Sequence, residues 1–151
     1  MHSFKETKLM KCDADLISEI VMDIEKYSEF LPWCSSAVIL SKEDNLIVAK
    51  LEISFKGFSE SYISRVIKEQ TDNSYLITAE AISGPFRYLK NSWYIKQLQN
   101  GSEINFSIDF EFKSTILDML IGLIFSEATK KIIAAFEDRA NRLSQSYSVI
   151  L

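Results

Sequence analysis

A chain of 151 residues with 47% hydrophobic side chains is long enough for one substantial core and too short for two ordinary domains. Its formal net charge of −4 disfavours phosphate backbones and argues against DNA as a partner. The longest apolar run, Met119 to Phe125, falls far short of the roughly 20 residues needed to span a bilayer.

Residues 4 to 10 read as an opening strand, preceded by neither a signal peptide nor an Arg-rich presequence. His2 is therefore expected at a frayed terminus. Asp13 is a candidate N-cap for a helix carrying Leu16, Ile17, Ile20, Val21 and Ile24. A short second helix with Tyr27, Phe30 and Leu31 should end at Pro32. Turn chemistry then recurs at Asp44-Asn45, Lys56-Gly57, Asp72-Asn73, Gly84-Pro85 and Asn100-Gly101, between runs rich in β-branched and aromatic residues. This pattern predicts an antiparallel meander. The Asn-Gly pair is expected to form both central positions of a type I′ turn.

Alternation is cleanest in Ile104, Phe106, Ile108, Phe110 and Phe112, set against Asn105, Ser107, Asp109, Glu111 and Lys113. One sheet face is wet and the other must be covered. The cover is a long helix predicted from Ile116 to Leu143, opened by a Thr115-x-x-Asp118 variant of the capping box. Its second half carries one apolar stripe through Phe125, Ala128, Ile132, Phe136, Ala140 and Leu143, whereas its first half is apolar all round. Such a helix would run about 42 Å, against a domain diameter of roughly 38 Å. An overhang or a bend at Gly122 is expected.

Side chains suited to catalysis are scarce. His2 is the only histidine, and Cys34 follows Trp33 in an apolar setting that raises a thiol pKa rather than activating it. Cys12 and Cys34 lack CxxC spacing, which fits a reducing cytoplasm. No metal-ligand spacing or Gly-rich phosphate loop is present, so no catalytic residue, metal or required cofactor is expected. The Lys130, Lys131, Arg139 and Arg142 cluster is interleaved with Glu127, Glu137 and Asp138, as on a solvated helix face.

Four stretches carry a family resemblance: YSEFLPWC at Tyr27–Cys34, FKGFSESYISRV at Phe55–Val66, GPFRYLKNSWYI at Gly84–Ile95, and FEFKSTILDMLIG at Phe110–Gly122 followed by AFEDRA. Together they are similar to the coenzyme Q-binding proteins of the START-like, or helix-grip, fold. That group is related to the ribosome association toxins and to the polyketide cyclase/dehydrase family. The resemblance implies an α+β architecture, with a curved antiparallel sheet wrapped around a long C-terminal helix and two short helices after the first strand. It further implies ubiquinone or a related prenyl lipid as the bound ligand, held beside the cytoplasmic membrane without turnover. A ribosome partner and an aromatase or cyclase activity are the alternatives that the resemblance leaves open.

Trp33 and Trp93 either plug the core or line a cavity, and the Phe row of the last strand reads as core before it reads as wall. Arg87, Tyr88, Asn91 and Ser92 bring polar groups to an aromatic strand, but alternation lets only one set face inward. The residues expected to contact an apolar ligand are Phe30, Trp33, Phe55, Phe86, Tyr88, Trp93, Phe106, Phe110, Met119, Leu120, Leu123 and Ile124. The last four are also expected to form the mouth and to dock on the membrane.

Overall fold

Alternating strands joined by tight turns give β1 (His2–Met10), β2 (Cys34–Glu43), β3 (Leu46–Phe55), β4 (Phe58–Thr71), β5 (Ser74–Ser83), β6 (Phe86–Leu98) and β7 (Gly101–Phe112). The helices are α1 (Ala14–Met22), α2 (Tyr27–Phe30), α3 (Thr115–Gly122) and α4 (Phe125–Ile150), with a 3-10 turn at Ile24–Lys26. The computed structural model describes residues 1–55 and 57–150, with side-chain surroundings through Gln145. Lys56, the first residue of the expected Lys56-Gly57 turn, lies outside the described residues. The strands form one antiparallel sheet in the order β1-β7-β6-β5-β4-β3-β2, so the meander is continuous and the opening strand closes against its last member.

The first strand begins earlier than its pattern suggested. His2 pairs with Phe110, and its Nε2 lies 3.0 Å from the Asp118 carbonyl oxygen and 3.1 Å from Asp118 Oδ1. It also stacks near Phe110 and Phe125, so the expectation of a frayed His2 is corrected. At the start of α1, Asp13 occupies the N-cap position but makes no side-chain cap. Gln97 supplies it instead, its Oε1 accepting from the Ala14 N–H at 2.8 Å.

The Asn100-Gly101 expectation is also corrected. Leu98 pairs with Gly101, so Gln99 and Asn100 form the two-residue loop, and neither has positive φ. Gly101 is required for another reason: with φ of 131°, a Cβ there would stand 2.3 Å from the Met10 carbonyl oxygen. The close approach of β1 selects the glycine.

The predicted single C-terminal helix is two. Leu123 and Ile124 turn with N–H bonds to the carbonyls of Leu120 and Ile121, three residues back, which breaks the α-helical ladder before α4 begins. Gly122 lies under His2, where a Cβ would come 2.8 Å from the imidazole Cε1. The cap is shifted by one residue as well, since Ser114 Oγ accepts from the Leu117 N–H at 3.2 Å. Asp118 Oδ1 reaches back to accept from the Phe112 N–H at 2.9 Å and ties α3 to the end of β7.

Helix α4 crosses the concave sheet face and buries Ile133, Phe136 and Ala140. The Phe136 ring meets Trp93 at 4.7 Å, Phe30 at 5.3 Å and Tyr27 at 5.5 Å, and each such buried ring is worth about 1.5–3 kcal/mol. Helix α1 closes one end of the groove with Ala14, Ile17, Ile20 and Val21.

Candidate functional site

The core does not fill the groove. Between α4 and the middle of the sheet lies an apolar cavity of about 220 Å³. Its floor is made by Leu51, by Tyr62, Ser64 and Val66 of β4, by Ile77 and Ala79, by Leu89, Asn91 and Trp93 of β6, and by Phe106 and Ile108. Thr129, Ile132 and Phe136 of α4 form the roof, and Tyr27 with Leu31–Cys34 forms one side. The wall reaches the surface at Leu31–Cys34 and Glu52–Ile53, all half-buried. Trp33 adopts a φ of 66°, a conformation costing a non-glycine residue about 1 kcal/mol, and its indole meets Phe55 edge to face at 5.5 Å.

A bulge decides which face of β6 looks inward. The register shifts between Phe86 and Tyr88, so Leu89, Asn91 and Trp93 line the cavity while Arg87 and Tyr88 turn out. Arg87 pairs with Glu111 at 3.4 Å.

Of the residues expected from sequence to contact ligand, Trp33, Trp93 and Phe106 lie in the wall. Phe30 stands behind Tyr27 and Phe136, and Phe55 flanks Trp33. Phe86 and Phe110 belong to an adjoining cluster with Phe112, whose rings approach to 4.7 Å and 5.5 Å respectively. Tyr88 is 42% exposed. Met119, Leu120, Leu123 and Ile124 do not touch the cavity, and α3 with the turn after it instead exposes Ile116, Met119, Leu120 and Leu123 at 70, 63, 56 and 80%. Their spacing places them on one helix face, uncovered among the described residues.

Tyr62, Ser64 and Thr129 escaped the sequence reading, which placed Tyr27 on the second helix, took Cys34 as an unactivated thiol and left open whether Asn91 or its neighbours face inward. Tyr62, Ser64 and Val66 share a face by strict alternation, so two polar residues on an inward register of a central strand were the signal available. Burial pushes the Tyr27 and Tyr62 hydroxyls well above the ordinary phenol range. It also raises the Cys34 thiol, which stays protonated near neutrality. Among the described residues, no three of His, Cys, Asp and Glu gather to hold a metal ion.

The register draws the family-like stretches together. Cys34 pairs with Ile53, Phe55 with Phe58, and Phe86 with Phe112, so the FLPWC segment, both hairpin ends and the start of α3 occupy one end of the sheet.

A curved antiparallel sheet gripping a C-terminal helix over an apolar cavity defines a START-like domain. The chain belongs to the family described as polyketide cyclase / dehydrase and lipid transport, whose model matches residues 12–137. It is 46% identical over 144 residues to the ribosome association toxin RatA of Rickettsia prowazekii (strain Madrid E), across 95% of this chain and 99% of that protein. It is 28% identical over 145 residues to the mitochondrial coenzyme Q-binding protein COQ10 homolog B of Xenopus laevis, across 93% of this chain and 58% of that protein. The solved STAR-related lipid transfer protein of Xanthomonas axonopodis matches with a TM-score of 0.83 over 92% of this chain and 85% of that one. At 14% identity, that likeness is one of fold.

Proposed function

We propose that this chain is a non-catalytic carrier that holds ubiquinone or a related prenyl lipid in the cavity and presents it at a membrane surface, working in the cytoplasm. The observation that carries this reading is the apolar cavity of about 220 Å³ beneath α4. An apolar cavity of about 150 Å³ is enough for benzene, so the space suits one substituted ring and excludes a long polyprenyl tail. The tail must leave past Leu31–Cys34. The exposed apolar face of α3 lies at the same end of the sheet, where it can enter the head-group layer of a bilayer beside the emerging tail.

Turnover is not part of the proposal. The family description includes cyclases and dehydrases, but acid–base chemistry needs a proton-transfer group poised near the working pH. Tyr27, Tyr62 and Cys34 are all shifted upward, away from neutrality. The similarity to RatA supports a second reading, association with the ribosome.

The test is solvent extraction of the natively purified protein with mass spectrometry of the extract, followed by titration with a short-tailed benzoquinone. A co-purified prenyl lipid and saturable quinone binding are expected. Empty extracts from several hosts together with no quinone binding would overturn the carrier reading. Cosedimentation with ribosomes that weakens steeply as salt rises, in a protein that binds no quinone, would establish the second reading instead.

A further inference from the structure

The hydrogen bonds of the cavity wall can be counted one group at a time. Tyr27 donates its hydroxyl proton to the Val21 carbonyl, and Thr129 donates to the Phe125 carbonyl at 2.9 Å. The Cys34 thiol lies 3.6 Å from the Ser36 carbonyl. Glu52 accepts from Ser35 Oγ at 2.7 Å. Asn91 donates to the Ser107 carbonyl at 2.9 Å and accepts the Trp93 indole N–H at 3.1 Å. Among the described residues every polar side chain of the wall thus has a partner except the hydroxyls of Tyr62 and Ser64 and the indole N–H of Trp33, which sits in the half-buried stretch where the wall meets the surface.

The two hydroxyls are neighbours on the inward face of β4. Among the described residues neither has a hydrogen-bond partner. Ser64 is only 4% exposed, yet no side-chain oxygen without a partner is fully sealed off among the described residues, so both hydroxyls open onto the cavity they line. Tyr62 is held in place from behind. A Cβ on Gly84 would stand 2.5 Å from the Tyr62 Cβ, and the Phe86 ring meets the phenol edge to face at 5.2 Å. The lining includes no Lys, Arg or His, and its only carboxylate is Glu52.

Resting on the carrier reading, we infer that Tyr62 and Ser64 form a head-group subsite for a neutral lipid bearing ring oxygens, such as a quinone carbonyl or methoxy group, and that anionic lipids are rejected. Both hydroxyls keep their protons near neutrality, and the burial that raises the phenol's pKa ensures it for Tyr62. They can therefore donate to a carbonyl oxygen deep in the cavity, where the surrounding wall is otherwise apolar or already hydrogen-bonded. A fatty carboxylate would lose its hydration with no cation to meet it and with Glu52 nearby. The unsatisfied pair is what a neutral acceptor would complete.

The experiment compares the full chain with Tyr62→Phe, Ser64→Ala and the double variant. Each is titrated with a short-tailed benzoquinone, with a hydrocarbon of matching length and with the corresponding fatty carboxylate. Each single change should weaken quinone binding about three- to tenfold, the usual worth of one neutral hydrogen bond, and leave hydrocarbon affinity within about twofold. The infrared carbonyl band of bound quinone should move back toward its apolar-solvent position in the double variant. Both substitutions only remove an oxygen, and an unchanged thermal midpoint in either single variant keeps the test valid if the double variant folds poorly. Unchanged quinone affinity in the single variants, or tighter binding of the carboxylate than of the quinone, overturns the subsite while leaving the carrier reading standing. If neither quinone nor hydrocarbon binds the unaltered protein, both fall.

Discussion

Helices α4 and α3 meet the same sheet but treat their apolar side chains in opposite ways. Helix α4 turns Ile133, Phe136 and Ala140 down into the groove, where Trp93 meets the Phe136 ring. Helix α3 is tied down by polar contacts, Asp118 to the Phe112 N–H and to His2, and holds Ile116, Met119, Leu120 and Leu123 out. Apolar composition alone therefore does not locate a core. What decides is which face the polar anchors leave free. The carboxylate and cap of α3 hold large apolar groups outward, the exposed face on which the membrane proposal rests, whereas α4 buries its own against the sheet.

The largest expected effect comes from breaking the covered half. Phe136→Ala removes the ring that touches Trp93, Phe30 and Tyr27 and should cost about 3–5 kcal/mol of stability, read as a lower urea midpoint. A loss below about 1 kcal/mol would show that α4 does not hold the core as its contacts indicate.

The same kind of insult to α3 should act elsewhere. Leu120→Glu with Leu123→Glu replaces two side chains that are 56 and 80% exposed, so stability should stay within about 0.5 kcal/mol per site. Binding to liposomes should fall at least about tenfold, since each apolar side chain withdrawn from lipid forfeits about 1.5–3 kcal/mol. Unchanged liposome flotation would remove α3 from the membrane proposal and move attention to the surface around Trp33. Leu123 partners Leu120 in this test rather than Ile124, which the sequence also placed at the docking end, because Ile124 is half-buried.

Much of the scaffold was legible because period-2 alternation and turn residues report directly on strands and hairpins, and the β2–β7 meander follows them closely. The break after Gly122 was foreseen only as an option, since nothing local reveals that His2, more than a hundred positions away in sequence, will pack on that glycine. The cavity was less legible. Trp33, Trp93 and Phe106 could be picked out as large apolar side chains near family-like motifs, but Phe86 and Phe110 look the same in sequence and fill a separate cluster. Which face of β6 turns inward depended on the bulge at Arg87, a register effect that periodicity cannot show. Tyr62 and Ser64 were passed over because hydroxyls on a strand acquire meaning only when the partners of the polar groups around them are known.

The mildest difference between the two regions is in their response to alkali. The covered half carries the half-buried Tyr27 and Tyr62, whose desolvated hydroxyls lie well above the ordinary phenol value, whereas the outward face of α3 is built from side chains that do not titrate. An acid whose pKa is raised by folding favours the folded state less once its unfolded form can ionise. The stability tied to these phenols is therefore fully present below their unfolded value of about 10 and is lost as pH rises from there toward their folded values. The slope is at most about 1.4 kcal/mol per pH unit for each group. Cys34 adds a smaller contribution of the same sign that begins near the unfolded thiol value of about 8.5. Urea midpoints followed from about pH 8 to about pH 11 should decline in the unaltered protein, and Tyr62→Phe, which removes one of the two phenols, should decline less steeply. Amide exchange in α4 should accelerate over this range more than exchange in α3, beyond the common increase with hydroxide. Parallel pH profiles for the protein and Tyr62→Phe would mean that the Tyr62 hydroxyl reaches water in the folded state, and the division into a covered and an uncovered half would then have to be redrawn around that phenol.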